Sequence, residues 1–236
     1  MRRQFDPAEP ELMDRPQPVS RELEIDLRNL RSLNRYFGSY ALIDFFLRRW
    51  LRAGQTVRIL DLATGSGDIP RFVVDRARSR GVSVKITALD QGESTLTIAR
   101  GLSAGYPEIE FRCANLLAIA PTEKWDLVVC SLALHHFGED DAVRVLTLAR
   151  ELSHRFVLVA DLRRGLLATA GVYLLTALVY REPMTRVDGR LSAARAFSAA
   201  EFRALAKRAG WGNFHHRNFR FARQAIWSEP EAARAR

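Results

Sequence analysis

Residues 57–70, VRILDLATGSGDIP, decide the fold of this chain. The apolar run at residues 57–60 predicts a buried parallel strand, which ends at Asp61. The chain then turns through Gly65 and Gly67 into the first turn of a helix. Such a junction brings free backbone N–H groups and the positive end of a helix dipole to one point. The stretch therefore predicts a ligand site at the end of the first strand of an α/β sheet.

The spacing of the glycines separates two classes of nucleotide cofactor. A dinucleotide site requires Gly-x-Gly-x-x-Gly, whose third glycine allows close packing of helix on strand. Pro70 occupies that third position, where it suits a helix start but breaks the dinucleotide pattern. Asp61-x-x-x-Gly-x-Gly instead resembles the first motif of class I S-adenosylmethionine-dependent methyltransferases. The resemblance implies that the methionine part of the cofactor lies against Asp61, Ala63, Thr64, Gly65 and Gly67.

A second acid, Asp90, follows the glycine loop at a sequence distance that is typical of nucleotide sites. Residues 84–90 predict a strand that ends at Asp90, 23 residues beyond Gly67. A carboxylate near this offset binds the ribose hydroxyls in α/β nucleotide sites. The alternative is a strand-end acid without a ligand, which is costly to bury unless it is paired. We therefore expect Asp90 to bind the ribose.

The resemblance also implies an adenine site. Asn115 follows the third predicted strand, where the family usually has an acid bonded to the adenine amino group. The asparagine carbonyl can accept the same hydrogen bond without a charge. Gln91 and Leu116 would then flank the adenine ring, and Ser131, after the fourth predicted strand, would also contact the cofactor.

Two amphipathic helices are predicted before the first strand, from leucines at helical spacing and from residues 41–51. Methyltransferases of this class carry similar N-terminal cap helices. Between the two helices, Arg35, Tyr36 and Gly38 either reach the cofactor carboxylate or form a plain turn. Residues 1–18 are rich in proline and charge, so we expect them to be mobile or held only locally.

A histidine pair follows the fourth predicted strand in the run LALHHF. This run resembles the post-strand motif of ubiquinone/menaquinone-type small-molecule methyltransferases. The fifth predicted strand ends at Asp161 and neighbours the fourth if the strand order follows the family. Asp161 would then orient His135 or His136, the candidate general base for a phenolic hydroxyl. The alternative is one core histidine and one surface histidine.

The resemblance covers residues 23–227 and implies an α/β, Rossmann-like sheet of seven strands. The sheet is expected to be mostly parallel, with the last strand antiparallel and helices on both faces. Within this single domain we distinguish a tail and helical cap (1–55), a cofactor-binding core (56–161), an insertion (162–197), and a closing helix with β-hairpin (198–236). The tail after Ser228 is expected to fray.

The insertion begins with GLLATAGVYLLTALVY, which is apolar all round, and continues as a polar loop. An apolar helix of this kind is buried or covers an apolar ligand. We interpret it as a substrate lid, with core packing or a dimer face as alternatives. At 16 residues the stretch is too short for a comfortable membrane span.

Composition limits the partners. The 236 residues carry a net charge of +9, but the arginines are scattered, which favours a solvated surface over a nucleic-acid footprint. The two cysteines, Cys113 and Cys130, fall in predicted strands, so we expect buried thiols, no disulfide and no metal site. Because no signal peptide is visible, a cytoplasmic enzyme is expected.

A narrower resemblance concerns the acceptor. The runs ELMD (residues 11–14), LRNLRSLNRYFGSY and ADLRRG look like methyltransferases encoded beside type III polyketide synthases. This implies secondary metabolism and O-methylation of a phenolic polyketide or lipid-like compound, with S-adenosylhomocysteine as product. The alternatives are an RNA-modifying methyltransferase and a cofactor-binding protein without catalysis.

Overall fold

The protein is built on a seven-stranded sheet, seen in a computed structural model that describes residues 2–230. The tail expected to fray lies, from residue 231 onward, outside the described residues. The strands are β1 Thr56–Leu62, β2 Ser83–Asp90, β3 Ile109–Cys113, β4 Trp125–Ser131, β5 Ser153–Leu162, β6 His215–Phe219 and β7 Arg223–Ser228. The helices are α1 Arg21–Tyr36, α2 Ser39–Trp50, α3 Asp68–Arg78, α4 Glu93–Leu102, α5 Glu139–Glu151, α6 Leu166–Leu178, α7 Pro183–Arg195 and α8 Ala199–Arg208.

The strand order is β3-β2-β1-β4-β5-β7-β6, so the sheet grows outward in both directions from β1 and β4. Neighbouring strands from β3 to β5 are parallel, whereas β7 runs antiparallel to both β5 and β6. In open α/β sheets, ligands bind beyond the carboxyl ends of the strands at such a reversal of order. The predicted fold class is confirmed.

Side chains of the strands supply two apolar cores, one on each face of the sheet. Leu60 of β1 packs in a core with α5 and α8. Its neighbour Ile59 packs in the other core, with α2 and α3. Continuous apolar runs such as residues 57–60 are typical of parallel strands that are covered on both faces.

Buried hydrogen bonds tie the two cap helices to the glycine loop. Ser20 caps α1 by accepting the Leu23 N–H at 3.2 Å. Asn34 near the end of α1 and Tyr40 near the start of α2 both donate to Asp68, at 3.0 and 3.2 Å. Because Asp68 opens α3 directly after the loop, the cap fixes the loop in place.

The prediction of a polar loop after the apolar helix is wrong, because most of that segment forms α7. Pro183 lies in the first turn, and Glu182 caps the helix by accepting the Thr185 N–H at 2.8 Å. The face that α7 buries is largely polar and includes Asp188 and Ser192. Sequence patterns detect helices through apolar periodicity, so a helix with a polar buried face escapes detection.

Three expectations about burial also need correction. The segment before residue 18 is packed rather than mobile: the Gln4 N–H donates to the Ala194 carbonyl at 3.1 Å. The core-packing alternative for the apolar helix is wrong, because α6 joins neither core and Thr176 is its one buried residue. Cys130 is buried as predicted, but Cys113 is exposed because β3 lies at the edge of the sheet.

Gly67 is expected to be essential for the turn into α3. Its φ is +69°, and a Cβ built there would lie 2.8 Å from the ring of Phe111. We expect Gly67→Ala to destabilise the protein by about 1–2 kcal/mol, since both the backbone and the contact are strained. Gly101→Ala is the matched control, because nothing lies within 4 Å of its Cβ position in α4. Urea unfolding measures both variants, and a Gly67→Ala protein as stable as the wild type contradicts this account.

Candidate active site

A cavity of about 1230 Å³ opens at the carboxyl ends of the central strands. A pocket for one small ligand usually measures about 300–1,000 Å³, so this cavity has room for a cofactor and an acceptor together. The glycine loop forms one end. The N-terminal segment, α6 and α7 contribute to the other end, beside the histidine pair.

Asp90 links the ends of β1 and β2. Its Oδ2 accepts the Gly65 N–H at 2.8 Å, and its Oδ1 accepts the Gly92 N–H at 2.9 Å. A carboxylate offers about four acceptor positions, so Asp90 keeps capacity for further donors. Burial raises the pKa of Asp90, although both backbone bonds oppose the rise. Gly65 has φ +54° and nothing within 4 Å of its Cβ position, which leaves open space over the loop.

This end of the cavity fits S-adenosylmethionine. Asp90 provides acceptors for ribose hydroxyls, and Gly65 leaves room for a chain to lie against the backbone. Burial raises the pKa of Asp61 to about 7, and a cationic group bound beside it would stabilise the ionised carboxylate and oppose that rise. The predicted cofactor residues that line the cavity are Asp61, Ala63, Thr64, Gly65, Asp90, Gln91, Asn115, Leu116 and Ser131.

The remaining predicted cofactor residues lie outside the cavity lining. Arg35 is exposed, and Tyr36 is 64% exposed at the end of α1. Gly38 and Gly67 occupy turns with positive φ. Contact between these four residues and the cofactor stays a prediction. The cap instead contributes to the lining with Asn34 and Phe37.

Asn115 has a structural task besides the one predicted. Its Oδ1 accepts the Leu117 N–H at 2.9 Å and so caps the short turn Leu116–Ala118. An amide oxygen has two lone pairs, so one stays available for an adenine amino group.

His135 and Asp161 form a buried pair where β4 and β5 end side by side. His135 Nδ1 lies 2.6 Å from Asp161 Oδ1, and the His135 backbone N–H donates to Oδ2 at 2.9 Å. Both side chains are at most 4% exposed. When Nδ1 donates to the carboxylate, the lone pair of the neutral ring lies on Nε2. Asp161 thus orients His135 and not His136.

His136 belongs to an acid cluster. Its Nδ1 lies 2.6 Å from Asp14 Oδ2, and its Nε2 lies 3.8 Å from Glu11 Oε2. Burial opposes a charge on the ring, but Glu11 and Asp14 outweigh it and raise the pKa of His136 to about 10. His136 is therefore protonated at neutral pH and has no lone pair to accept a proton.

The sequence reasoning missed Glu11 and Asp14 as site residues. Glu11 precedes the turn Leu12–Asp14, and Asp14 ends it. The backbone N–H groups of the first two residues of this turn donate to Asp188 at 2.7 and 3.0 Å. Ser192 donates to Glu11 Oε1 at 2.8 Å. Because Asp188 and Ser192 lie on α7, this helix, which the sequence did not predict, positions Glu11 and Asp14. The one feature of the sequence that drew attention to these residues was the run ELMD, which suggested a family but did not indicate a site.

Glu11, His135 and His136 each offer a ligand atom, and these atoms lie within 4.8 Å of one another. A metal ion could use such a spacing. Metal binding requires neutral imidazoles, so a metal ion at this cluster would have to displace the proton of His136, whose pKa Glu11 and Asp14 raise to about 10.

The raised pKa of His136 predicts a pH-dependent contribution to stability. The unfolded value is about 6.5, so the stabilisation is full below that pH and is lost as the pH rises towards 10. We expect His136→Gln to be less stable than the wild type at pH 6, with a difference that shrinks towards pH 10. Urea unfolding across this range measures it, and Asp14→Asn should weaken the dependence. A constant difference would contradict the assignment.

Comparisons with known proteins agree with this geometry. Residues 59–156 match the family model of a methyltransferase domain. A 2-phytyl-1,4-naphtoquinone methyltransferase from Thermosynechococcus vestitus is 36% identical over 70 residues, which cover 30% of each chain. A non-reducing polyketide synthase from Penicillium shearii is 28% identical over 83 residues, 34% of this chain and 4% of the synthase. The chain thus spans less than a third of either curated relative.

A solved structure extends the likeness over most of the chain. The plantazolicin methyltransferase BpumL, in complex with S-adenosylhomocysteine, superposes with a TM-score of 0.67. The match covers 91% of both chains at 11% sequence identity. At that identity the likeness establishes the fold.

Proposed function

Since the chain carries a class I S-adenosylmethionine-dependent methyltransferase domain, we propose that it methylates a hydroxyl of a small hydrophobic acceptor. A phenolic polyketide or lipid-like compound is the proposed class. The observation that carries the proposal is that His135, backed by Asp161, lines the same cavity as Gly65 and Asp90. The names of the two curated relatives, a quinone methyltransferase and a polyketide synthase, support this class of acceptor.

The proposed chemistry needs one base and good alignment. S-adenosylmethionine supplies an electrophilic methyl group when it is bound. The protein aligns the acceptor oxygen and excludes water. A phenol has a pKa of about 10 and is mostly protonated at neutral pH. His135 Nε2 takes the phenolic proton, while Asp161 holds the ring and stabilises the imidazolium that forms.

Glu11 and His136 complete this end of the site. Glu11 Oε1 lies 3.8 Å from His135 Nε2, the atom to which the proposal assigns the phenolic proton. His136 is already protonated and therefore serves to hold Glu11 and Asp14 in the cavity wall. The two histidines thus have different tasks, although they are adjacent in sequence.

The apolar part of the lining supports a hydrophobic acceptor. Helix α1 contributes Leu30 and Leu33, and α6 contributes Val172 and Leu175. Apolar walls with a few polar groups are typical of small-molecule sites. A phenol ring with an alkyl substituent matches this combination of an apolar chamber and one buried base.

An RNA substrate is the alternative that the net charge suggested. Several arginines, however, are paired with acids on the surface, for example Arg78 with Glu108 at 2.8 Å and Arg208 with Asp140 at 2.6 Å. Such pairs weaken the field that attracts phosphates. We expect RNA binding to be weak, indifferent to sequence and steeply reduced by salt. A salt-resistant, sequence-selective complex would favour the RNA alternative.

Transfer of labelled methyl groups from S-adenosylmethionine to a panel of alkylated phenols tests the proposal. We expect O-methylated products, with turnover that increases with the length of the alkyl chain. The assay is repeated after treatment with a chelator, which should leave turnover unchanged. Cofactor binding without transfer to any phenol would favour the non-catalytic alternative, and activity restored by a divalent ion after chelation would overturn the role given to His135.

A further inference from the structure

Helix α6 carries an unusual exposed surface. Of the twelve large hydrophobic residues that are exposed in the described part of the chain, six lie between residues 166 and 179. We call them the α6 surface: Leu166, Leu167, Tyr173, Leu174, Leu178 and Val179. Leu167 is 91% exposed and Leu174 is 62% exposed. Contiguous apolar patches of this kind mark interaction sites.

The helix is too short to cross a bilayer. Its 13 residues span about 20 Å, whereas the hydrocarbon core of a membrane is about 30 Å thick. No helix among residues 2–230 is long and apolar enough for a membrane span. A helix this short, exposed and without charged residues can lie along a membrane surface but cannot cross the membrane.

The charged residues around α6 indicate what kind of partner binds the α6 surface. Residues 162–197 contain six arginines and two acids, and two of the arginines, Arg164 and Arg195, are buried. Arg181 is exposed and donates to the Leu178 carbonyl at 3.1 Å, and the Arg190 guanidinium lies 4.5 Å from the centre of the Tyr173 ring. One acid of the segment, Asp188, is buried. Arginines beside an apolar surface match the anionic headgroups of a membrane.

Aromatic side chains continue the surface around the cavity mouth. Phe221 is 54% exposed and lines the cavity together with Leu166 and Leu167. Tyr36 is also exposed, and it lies one helical turn from Ser32, which contacts Tyr180 at 2.7 Å just beyond α6. Aromatic rings are enriched at the boundary between lipid and water.

We propose that the α6 surface docks on an anionic lipid bilayer. One side of α6 lies against lipid while the other lines the acceptor cavity with Val172 and Leu175. If the acceptor is hydrophobic, as the proposed function states, docking places the cavity mouth at the membrane in which such a compound dissolves. The docking itself rests on the exposed surface and its arginines, not on the reaction.

Vesicle flotation tests the proposal without substrate or cofactor, so the result is independent of the methyl transfer. We expect binding to vesicles of phosphatidylcholine with phosphatidylglycerol, and weaker binding to pure phosphatidylcholine. The double variant Leu174→Glu/Leu178→Glu should lose binding by about tenfold or more. Neither leucine lines the cavity. Leu102→Glu is the matched control, because Leu102 is 50% exposed at the end of α4, and it should bind within twofold of the wild type.

Thermal melting and calorimetry with S-adenosylhomocysteine verify that each variant is folded. Sedimentation velocity tests whether the α6 surface binds a second copy of the chain instead of a membrane. A dimer that the double variant converts to monomers would overturn the proposal and give the α6 surface to a protein interface. Wild-type protein that ignores anionic vesicles, or a double variant that binds them as the wild type does, would overturn it as well.

Discussion

Replacing His135 with alanine is expected to lower kcat by roughly 10²–10⁴-fold, or about 3–5 kcal/mol in the barrier. The reason is the loss of Nε2, the lone pair that Asp161 leaves available by holding Nδ1 at 2.6 Å. The loss should shrink as the pH approaches that of phenol ionisation, about 10, because solvent then supplies the phenolate. Steady-state assays with a phenolic acceptor across this range measure the effect.

Two further variants distinguish the effect of losing the base from the effect of altering its hydrogen-bond partner or another histidine. Asp161→Asn should also lower kcat, but less than His135→Ala, since the imidazole remains while an amide can donate to Nδ1 and so shift the ring proton to Nε2. His154→Ala is the matched control, because His154 also pairs with an acid, Asp126 at 3.2 Å, but on the exposed surface. Its kcat should equal that of the wild type.

Cofactor affinity should barely change in any of these variants, because the role proposed for His135 is towards the acceptor. Full turnover of His135→Ala between pH 7 and 10 would exclude a histidine base. Catalysis would then depend on alignment of the acceptor, and His135 would have a structural role.

The parts of the site that the sequence predicted are those with local signals. The glycine loop, Asp90 and Asp161 each follow an apolar run, so strand ends and their polar residues could be placed without a structure. The order of the strands then followed from the family resemblance. This is why the neighbourhood of Asp161 and the histidine pair was predicted correctly.

The choice between the two histidines required the tertiary structure. His135 and His136 are adjacent, and what separates them is contact with Asp161 on one side and with Asp14 on the other. Glu11 is 124 positions from His135, a contact that no local pattern encodes. Helix α7 escaped detection for a related reason, since its buried face holds the backbone of the Leu12–Asp14 turn through Asp188 and the Glu11 side chain through Ser192.

Asp90→Ala is expected to weaken S-adenosylmethionine binding by about 1.5–3 kcal/mol, or roughly 10- to 150-fold in Kd. The substitution removes the carboxylate that we expect to accept hydrogen bonds from the ribose hydroxyls. It also releases the Gly65 and Gly92 N–H groups that Asp90 holds at 2.8 and 2.9 Å, so the loop loses part of its order. Calorimetric titration with S-adenosylhomocysteine, which avoids turnover, measures the change.

Asp126→Ala provides the control for the loop effect. Like Asp90, Asp126 accepts a backbone N–H group, that of Arg58 in β1 at 2.8 Å, but Asp126 does not line the cavity. Its removal should leave cofactor affinity unchanged while costing some stability. Asp90→Asn separates the two tasks of Asp90 further, because an amide oxygen still accepts one hydrogen bond but carries no charge. Its affinity should fall between those of the wild type and Asp90→Ala. Unchanged binding by Asp90→Ala, or tight binding of NAD by the wild type, would remove Asp90 from the ribose site and reopen the identity of the cofactor.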